Sequence, residues 1–298
     1  MKRFIINILV FFGIVAAVDF VAGNVFGYMQ ADMAKGRTGV EHHVCKALDE
    51  DVLIMGSSRA SHHYVPQILE DSLGLSCFNG GQDGNGIVMQ YGRWKMLSER
   101  KVPKLIIYDI EPSFDMVEND NERYIDRLKP FAGDKTVRAY MASLFPMEGL
   151  KLTSSMYRYN YKFLEILSDC VVSPAIQKGY IPLKGHIRQE MKEAKSEGTK
   201  APTELDAVKL EYLEKLISEV QGAGCRMVLV SSPYWRGHTQ TYFSSIEALA
   251  KKYGVAFLNY DGSDLAGNPD YFADSMHLND EGAHVFTSDL SEKLRDLI

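Results

Sequence analysis

The chain has 298 residues, 46% of them hydrophobic and 24% charged, enough to bury a full core as one large domain or two modest ones. A formal net charge of -6, with no run of Lys or Arg and no basic stripe interleaved with aromatics, argues against nucleic acid as a partner. Cys45, Cys77, Cys170 and Cys225 have neither CxxC pairing nor the density of a disulfide scaffold, and no cofactor or metal site is suggested.

The chain starts with Lys2 and Arg3, followed by an apolar run over 4–18 that only Asn7 interrupts; a second apolar piece continues beyond Asp19 to Tyr28. A cleaved signal peptide would find small residues for the cut at Val15, Ala16 and Ala17. A signal anchor needs about 20 spanning residues and has to tolerate Asp19. Because the apolar character persists past Asp19, the anchor is preferred for segment 1–29. Either reading places the remainder across the membrane, in the periplasm or cell envelope, since the basic pair precedes the apolar segment.

Short apolar, β-branched runs then recur at 51–55, 75–79, 104–110, 226–232 and 255–260, and helical patterns lie at 65–73, 87–99, 205–221, 240–253 and 281–297. Strands apolar on both faces and separated by helices predict an α/β fold, a parallel sheet covered on two sides. Cys77 and Cys225 flank these strands and are expected to be buried thiols. One long interval breaks the alternation. Residues 115–205, rich in Tyr and Met at first and highly charged later, are expected to form a helical cap inserted into the 30–298 domain, with a mobile polar stretch near 190–202.

In an open parallel sheet, reacting groups gather at the carboxyl ends of the strands, which is where Ser57, Ser58, Asp83 and Pro112 fall. "GSSR" closes the first strand with a hydroxyl on a strand-to-helix turn, and "DSMHLNDEG" puts Asp274 and His277 three residues apart just before the last helix. At that spacing the carboxylate can orient one ring nitrogen while the other faces a nucleophile, which supplies the base and orienter of a serine triad. "GSSRA" has the G-x-S-x-A form of an α/β-hydrolase elbow, but that fold has several strands before its nucleophile and separates acid from histidine. "NGGQDGNG" lacks the order of a dinucleotide loop and the Lys of a P-loop.

The set resembles the SGNH, or GDSL-type, hydrolase family over residues 50–298 outside the insertion. The resemblance maps that family's Gly-Asp-Ser block onto Gly56, Ser57 and Ser58, with Ser58 as nucleophile. It maps the closing Asp-x-x-His block onto Asp274, His277, Leu278, Asn279 and Gly282. Its second block matches "NGGQDG" and implies Gly84 as a backbone oxyanion donor. It also implies a flavodoxin-like three-layer sandwich with a parallel five-stranded sheet. Two departures stand out. Ser57 replaces the Asp of the first block, and the stretch "YDIEPSFD" has no Asn where the family carries its side-chain oxyanion donor. Asn85 and Arg158 are the candidate replacements.

For His62 and His63 the expectation is that adjacent histidines cannot both face one pocket, leaving one exposed; Arg59 either packs under the loop or binds an anionic group. Location and resemblance together imply a serine esterase acting on an acyl ester, for example acetyl, of a cell-envelope glycan or related molecule. Two alternatives remain: an acyltransferase that moves the acyl group to a surface glycan, or a non-catalytic envelope-assembly or glycan-binding module.

Overall fold

The computed structural model describes residues 1–117, 125–172, 175–187, 204–235 and 240–298. They fall into two compact units, Met1–Lys46 with Ile125–Pro174 and Ala47–Tyr124 with Ala175–Ile298. The first holds α1 (Lys2–Tyr28), α2 (Arg37–His42), α6 (Lys135–Leu144), α7 (Glu148–Lys151), α8 (Ser155–Tyr159) and α9 (Phe163–Val171). The second holds β1 (Val52–Gly56), α3 (Ser58–His63), α4 (Pro66–Leu73), β2 (Cys77–Asn79), α5 (Ile87–Ser98) and β3 (Leu105–Asp109). It continues with α10 (Ala207–Gly222), β4 (Arg226–Ser231), α11 (Gln240–Tyr253), β5 (Ala256–Asn259) and α12 (Asp280–Arg295).

The second unit is a five-stranded parallel sheet in the order β2-β1-β3-β4-β5, the flavodoxin-like doubly wound order. Every residue of β1 and β3 is buried, which is why these strands read as unbroken apolar runs. Val52, Ile54, Ile107, Val228 and Val230 meet Phe286, Leu290 and Leu294 of α12 in one core. With α3 and α4, α12 covers that face, while α5 and α10 pack together on the other. The strand expectations fall on the five observed strands, and the 240–253 pattern coincides with α11. The short α3 was not foreseen.

Caps explain several boundaries. Asp206 accepts from Val208 N and Lys209 N to start α10, and Asn279 accepts from Gly282 N to start α12. Gly282 has to be glycine, because a Cβ there would stand 2.2 Å from Tyr271 O. The "HLNDEG" block is therefore partly a helix start. Cys77 and Cys225 are buried, and all four cysteines are free thiols.

In the first unit, residues 125–172 are helical for most of their length and group with residues 1–46. Its core includes Val137, Met141, Leu152 and Ile166. Asp134 caps α6 through Thr136 N and pairs with Lys46 at 2.8 Å. Thr38 donates through both its N–H and its hydroxyl to Asp169 of α9. Among the described residues, the helix containing α1 is the one long and apolar enough to cross a membrane. The polar stretch near 190–202 lies outside the described residues.

Candidate active site

β1 ends on Gly56, whose φ of +143° is open to glycine, and a Cβ there would come within 2.7 Å of Asp109 O. The chain turns at Ser57, and Ser58 is the first residue of α3, so its hydroxyl stands at the carboxyl end of a central strand. As the first helical residue, Ser58 also has an N–H with no acceptor inside the helix.

His277 arrives on the turn before α12. Asp274 Oδ1 accepts from Met276 N at 2.7 Å and His277 N at 2.9 Å, and Ala273 N donates to His277 O. The turn thereby folds on its own carboxylate. His277 Nδ1 lies 3.1 and 3.0 Å from the two Asp274 oxygens, and Nε2 lies 2.8 Å from Ser58 Oγ. A proton on Nδ1 donates to the carboxylate and leaves Nε2 as acceptor for the serine O–H, the tautomer a general base requires. Burial alone would raise the Asp274 carboxyl, but the bonds from the His277 ring and the Met276 and His277 amides hold it down at about 2. Ser58, His277 and Asp274 are thus brought together.

The second loop is clamped against α3. Asn79 donates to Ala60 O and Tyr64 O and accepts from Gly81 N, and Gln82 N donates to Gly56 O at 3.0 Å. A Cβ on Gly81 would lie 2.2 Å from Ser61 N, so only glycine allows this approach. Gly84 has φ +67°, and its N–H has no backbone acceptor among the described residues.

Asn85 is not available as the replacement side-chain donor: its amide nitrogen donates to Asp83 O at 2.6 Å and Gln82 O at 3.4 Å, which uses both hydrogens inside the loop. Arg158 belongs to the other unit, where its guanidinium donates to Ser155 Oγ. The sequence reading missed Gln82, a buried side chain on the Gly84 loop whose Nε2 has no partner among the described residues. A buried unpaired amide costs on the order of 1–3 kcal/mol and is the signal of a donor waiting for an acceptor.

Arg59 packs under the site. It is fully buried, with Nε 2.8 Å from Glu111 and 3.6 Å from Asp109, and its terminal nitrogens donate to Ser232 O and Ile110 O. Burial opposes the Arg59 charge, but Glu111 and Asp109 more than offset it. The loop after β3, which lacks the family's Asn, is spent on this ion cluster.

The expectation that one of His62 and His63 is exposed is wrong. Both are buried and both rings stand edge-on to His277, at centroid distances of 5.5 and 6.2 Å. α3 ends at His63, and Tyr64 is extended. His62 Nδ1 donates to Ile181 O, and its Nε2 lies 3.6 Å from Asp83. His63 Nε2 accepts from Leu278 N at 3.0 Å, so its Nδ1 donates to Ser232 Oγ at 2.9 Å. Burial, then the Arg59 charge, pushes the His63 imidazole well below its ordinary range, and it stays neutral.

Clefts lined by Leu105, Gly224, Arg226 and Ile298 open at the amino ends of the strands, where Arg226 binds the Ile298 carbonyl. They are remote from the carboxyl-end chemistry that such sheets support.

A scan of family models finds no match to the sequence, and a search of curated proteins finds none either. Solved structures share a loose likeness. An acetylxylan esterase from Geobacillus stearothermophilus is 11% identical, over 83% of this chain and 94% of that one, with a TM-score of 0.43. A protein from Slackia heliotrinireducens proposed to be an SGNH hydrolase is 10% identical, over 82% and 97%, with a TM-score of 0.41. A protein from Bacteroides fragilis proposed to be an acylhydrolase is 13% identical, over 83% and 86%, with a TM-score of 0.39.

Proposed function

We propose that the protein is a serine esterase of the SGNH type, held in the membrane by α1 with its sheet unit outside the cytoplasm, which hydrolyses an acyl ester of an envelope glycan or related molecule. The observation that carries this reading is the run of contacts from Asp274 through His277 to Ser58, with 3.0 and 2.8 Å steps at the carboxyl end of β1.

Ser58 Oγ attacks the acyl carbonyl as His277 Nε2 takes its proton, and Asp274 stabilises the imidazolium without itself taking a proton. The tetrahedral oxygen is met by the N–H groups of Ser58 and Gly84, and the Gln82 amide takes the place of the missing Asn. The imidazolium gives its proton to the departing alcohol. Water, deprotonated by the same ring, then releases the acid from the acyl-serine.

The glycan assignment is supported by the export topology of the N-terminal segment and by the family resemblance, while the ester chemistry is supported by the site itself. A fluorophosphonate probe applied to the full chain in detergent, followed by mapping of the modified residue, tests the chemistry. Labelling at Ser58, with acyl release to water from an acetylated oligosaccharide, is the expected result. No labelling would leave a binding module, and release only on addition of an acceptor sugar would make the protein a transferase.

A further inference from the structure

We infer that α7, α8 and α9 sit in the outer interfacial layer of the bilayer beside α1, so that the first unit is a membrane-embedded platform and not a tether followed by a soluble insertion. The inference rests on the reading of α1 as a membrane span. It goes beyond that reading, because it assigns lipid contact to a segment more than a hundred residues further along the chain.

The first argument is length. The apolar run over 4–18, interrupted only by Asn7, is 15 residues. At ~1.5 Å per residue it reaches about 22 Å, short of the roughly 30 Å hydrocarbon core. A full span of about 20 residues extends to Gly23, so Asp19 falls within the membrane boundary. An unpaired carboxylate there is costly. Asp19 is not unpaired: it accepts from Ser154 Oγ, from Ser155 N at 2.8 Å and from Met156 N at 2.8 Å. The start of α8 is thereby fixed at the depth of Asp19.

The second argument is how closely the two segments approach. Gly23 lies so near α8 that a Cβ would stand 2.1 Å from Ser155 Cβ, and one on Gly27 would stand 3.1 Å from Tyr159 Oη. Phe26 then stacks near Tyr159 and Phe163, and Cys170 Sγ reaches Met29 O. Asp19, Gly23 and Gly27 recur every four residues along one face of α1, the close-approach pattern of helices that pack inside lipid. The inserted helices therefore run beside α1 from Asp19 to Met29.

The third argument is what those helices present outward. In α9, Ile166 is buried and Asp169 is bonded inward to Thr38, while Leu164 and Val171 are 67% and 86% exposed with Leu167 between them. Leu164, Leu167 and Val171 occupy one helical face by their spacing. Leu150 is 65% exposed, and Met147 and Met156 are exposed as well. Met156 stands at the level of Asp19, whose neighbour along α1, Phe20, is also exposed. Soluble surfaces rarely gather such residues, whereas interfacial helices bury an apolar face about 5–10 Å deep in the headgroup region.

The test uses the full chain, with Cys170→Ser to remove the partly exposed thiol, reconstituted into phosphatidylcholine vesicles. Single cysteines at Leu164→Cys, Leu167→Cys, Leu9→Cys and Thr153→Cys carry an environment-sensitive fluorophore, and quenching by brominated lipids is compared with quenching by aqueous iodide. The expected result is that the labels at 164, 167 and 9 lose most of their emission to brominated lipid and little to iodide, while that at Thr153 does the reverse. Quenching at 9 but iodide access at 164 and 167 would overturn the platform and leave the span intact. No lipid quenching at 9 would remove the span as well. Labels at 164 and 167 protected from both quenchers would mean that another protein, or a second copy, covers the face, and would also overturn the inference. Cysteine at these exposed positions leaves the inner packing of α9 untouched.

Discussion

The two units bury polar groups to different ends. The sheet unit buries titratable side chains: Arg59 pairs with Glu111, Asp115 accepts from Tyr108 Oη, Lys209 donates to Val117 O, and the neutral His63 accepts from Leu278 N and donates to Ser232 Oγ. The helical unit also buries Lys129, Glu148 and Lys162 and turns Asp19 and Asp169 inward to hydrogen bonds, while its outer side exposes Leu150, Leu164 and Val171. Buried polar groups are expensive in either setting, so their placement shows what each unit is built around. In the sheet unit the cluster lies beneath Ser58 and His277 and fixes the loop ends that carry them. In the helical unit Asp19 pins α1 to the start of α8, and Asp169 pins α9 to α2 through Thr38.

The sharpest test of the sheet side is the nucleophile. Ser58→Ala is expected to lower acyl-enzyme formation by several orders of magnitude, because the triad then has nothing to activate. Ser57→Ala should leave much of it, since the Ser57 hydroxyl is buried and has no bond to His277. Rapid-mixing measurement with an activated acyl ester separates the two. Retained activity in Ser58→Ala would break the comparison at its centre, because the buried cluster would then be supporting no chemistry at Ser58.

Next in size is the oxyanion donor. Gln82→Ala removes a buried amide nitrogen that has no partner among the described residues, so the folded state loses little. If the amide meets the oxyanion, turnover should fall by roughly two to three orders of magnitude with little change in the Michaelis constant. Asn85→Ala should act differently: its amide holds Asp83 O and Gln82 O, so the variant should loosen the loop and lower thermal stability. Equal turnover in wild type and Gln82→Ala would restrict the hole to the two backbone amides.

What could be read in the sequence follows the same division. Val52 to Met55 and Ile106 to Tyr108 are buried on both faces, so their apolar runs announced the parallel sheet. Asp274 and His277 lie in one turn, and a local motif is visible as such. Asn85 was misjudged because its hydrogens are used by neighbours two and three residues away, and residue type does not reveal how a side chain's donors are spent. The fates of His62 and His63 depended on partners at 181, 232 and 278, which no spacing along the chain displays. The first unit was the least legible: Asp19 looked like a flaw in a membrane helix until Ser154, 135 positions away, came to meet it.

A smaller effect is expected at His63, which touches no reacting atom in the proposed mechanism. His63→Ala leaves Leu278 N and the Ser232 hydroxyl without that partner, at a cost of about 1–3 kcal/mol per buried group left unsatisfied. Because Leu278 adjoins His277, the turn carrying the base should also lose its fixed position. Thermal unfolding should move down by several degrees for a chain of this size. A loss of turnover without a change in melting temperature would mean that His63 acts on the reaction itself.

The smallest effect, and the finest probe of how the sheet unit holds its carboxyls, concerns Asp115. This group is buried, accepts from Tyr108 Oη at 2.9 Å and from Glu111 N at 2.8 Å, and is raised by burial to about 7 from an ordinary value of 3.8. A carboxyl raised on folding favours the folded state while it keeps its proton. Its contribution is present in full below its unfolded value and is lost as pH climbs through about 7. Asp115→Asn imitates the protonated form at every pH, so the variant should match wild type in melting temperature at pH 4 and exceed it at pH 8, with the difference opening between those values. Lys209, itself lowered by burial, stands near enough to favour the ionised carboxylate, which works against the rise without cancelling it. A melting-temperature difference that is the same at both pH values would mean that Asp115 stays ionised, and that the sheet unit stabilises its inner carboxylates with cations, as Arg59 does for Glu111, and does not keep this one neutral by exclusion from water.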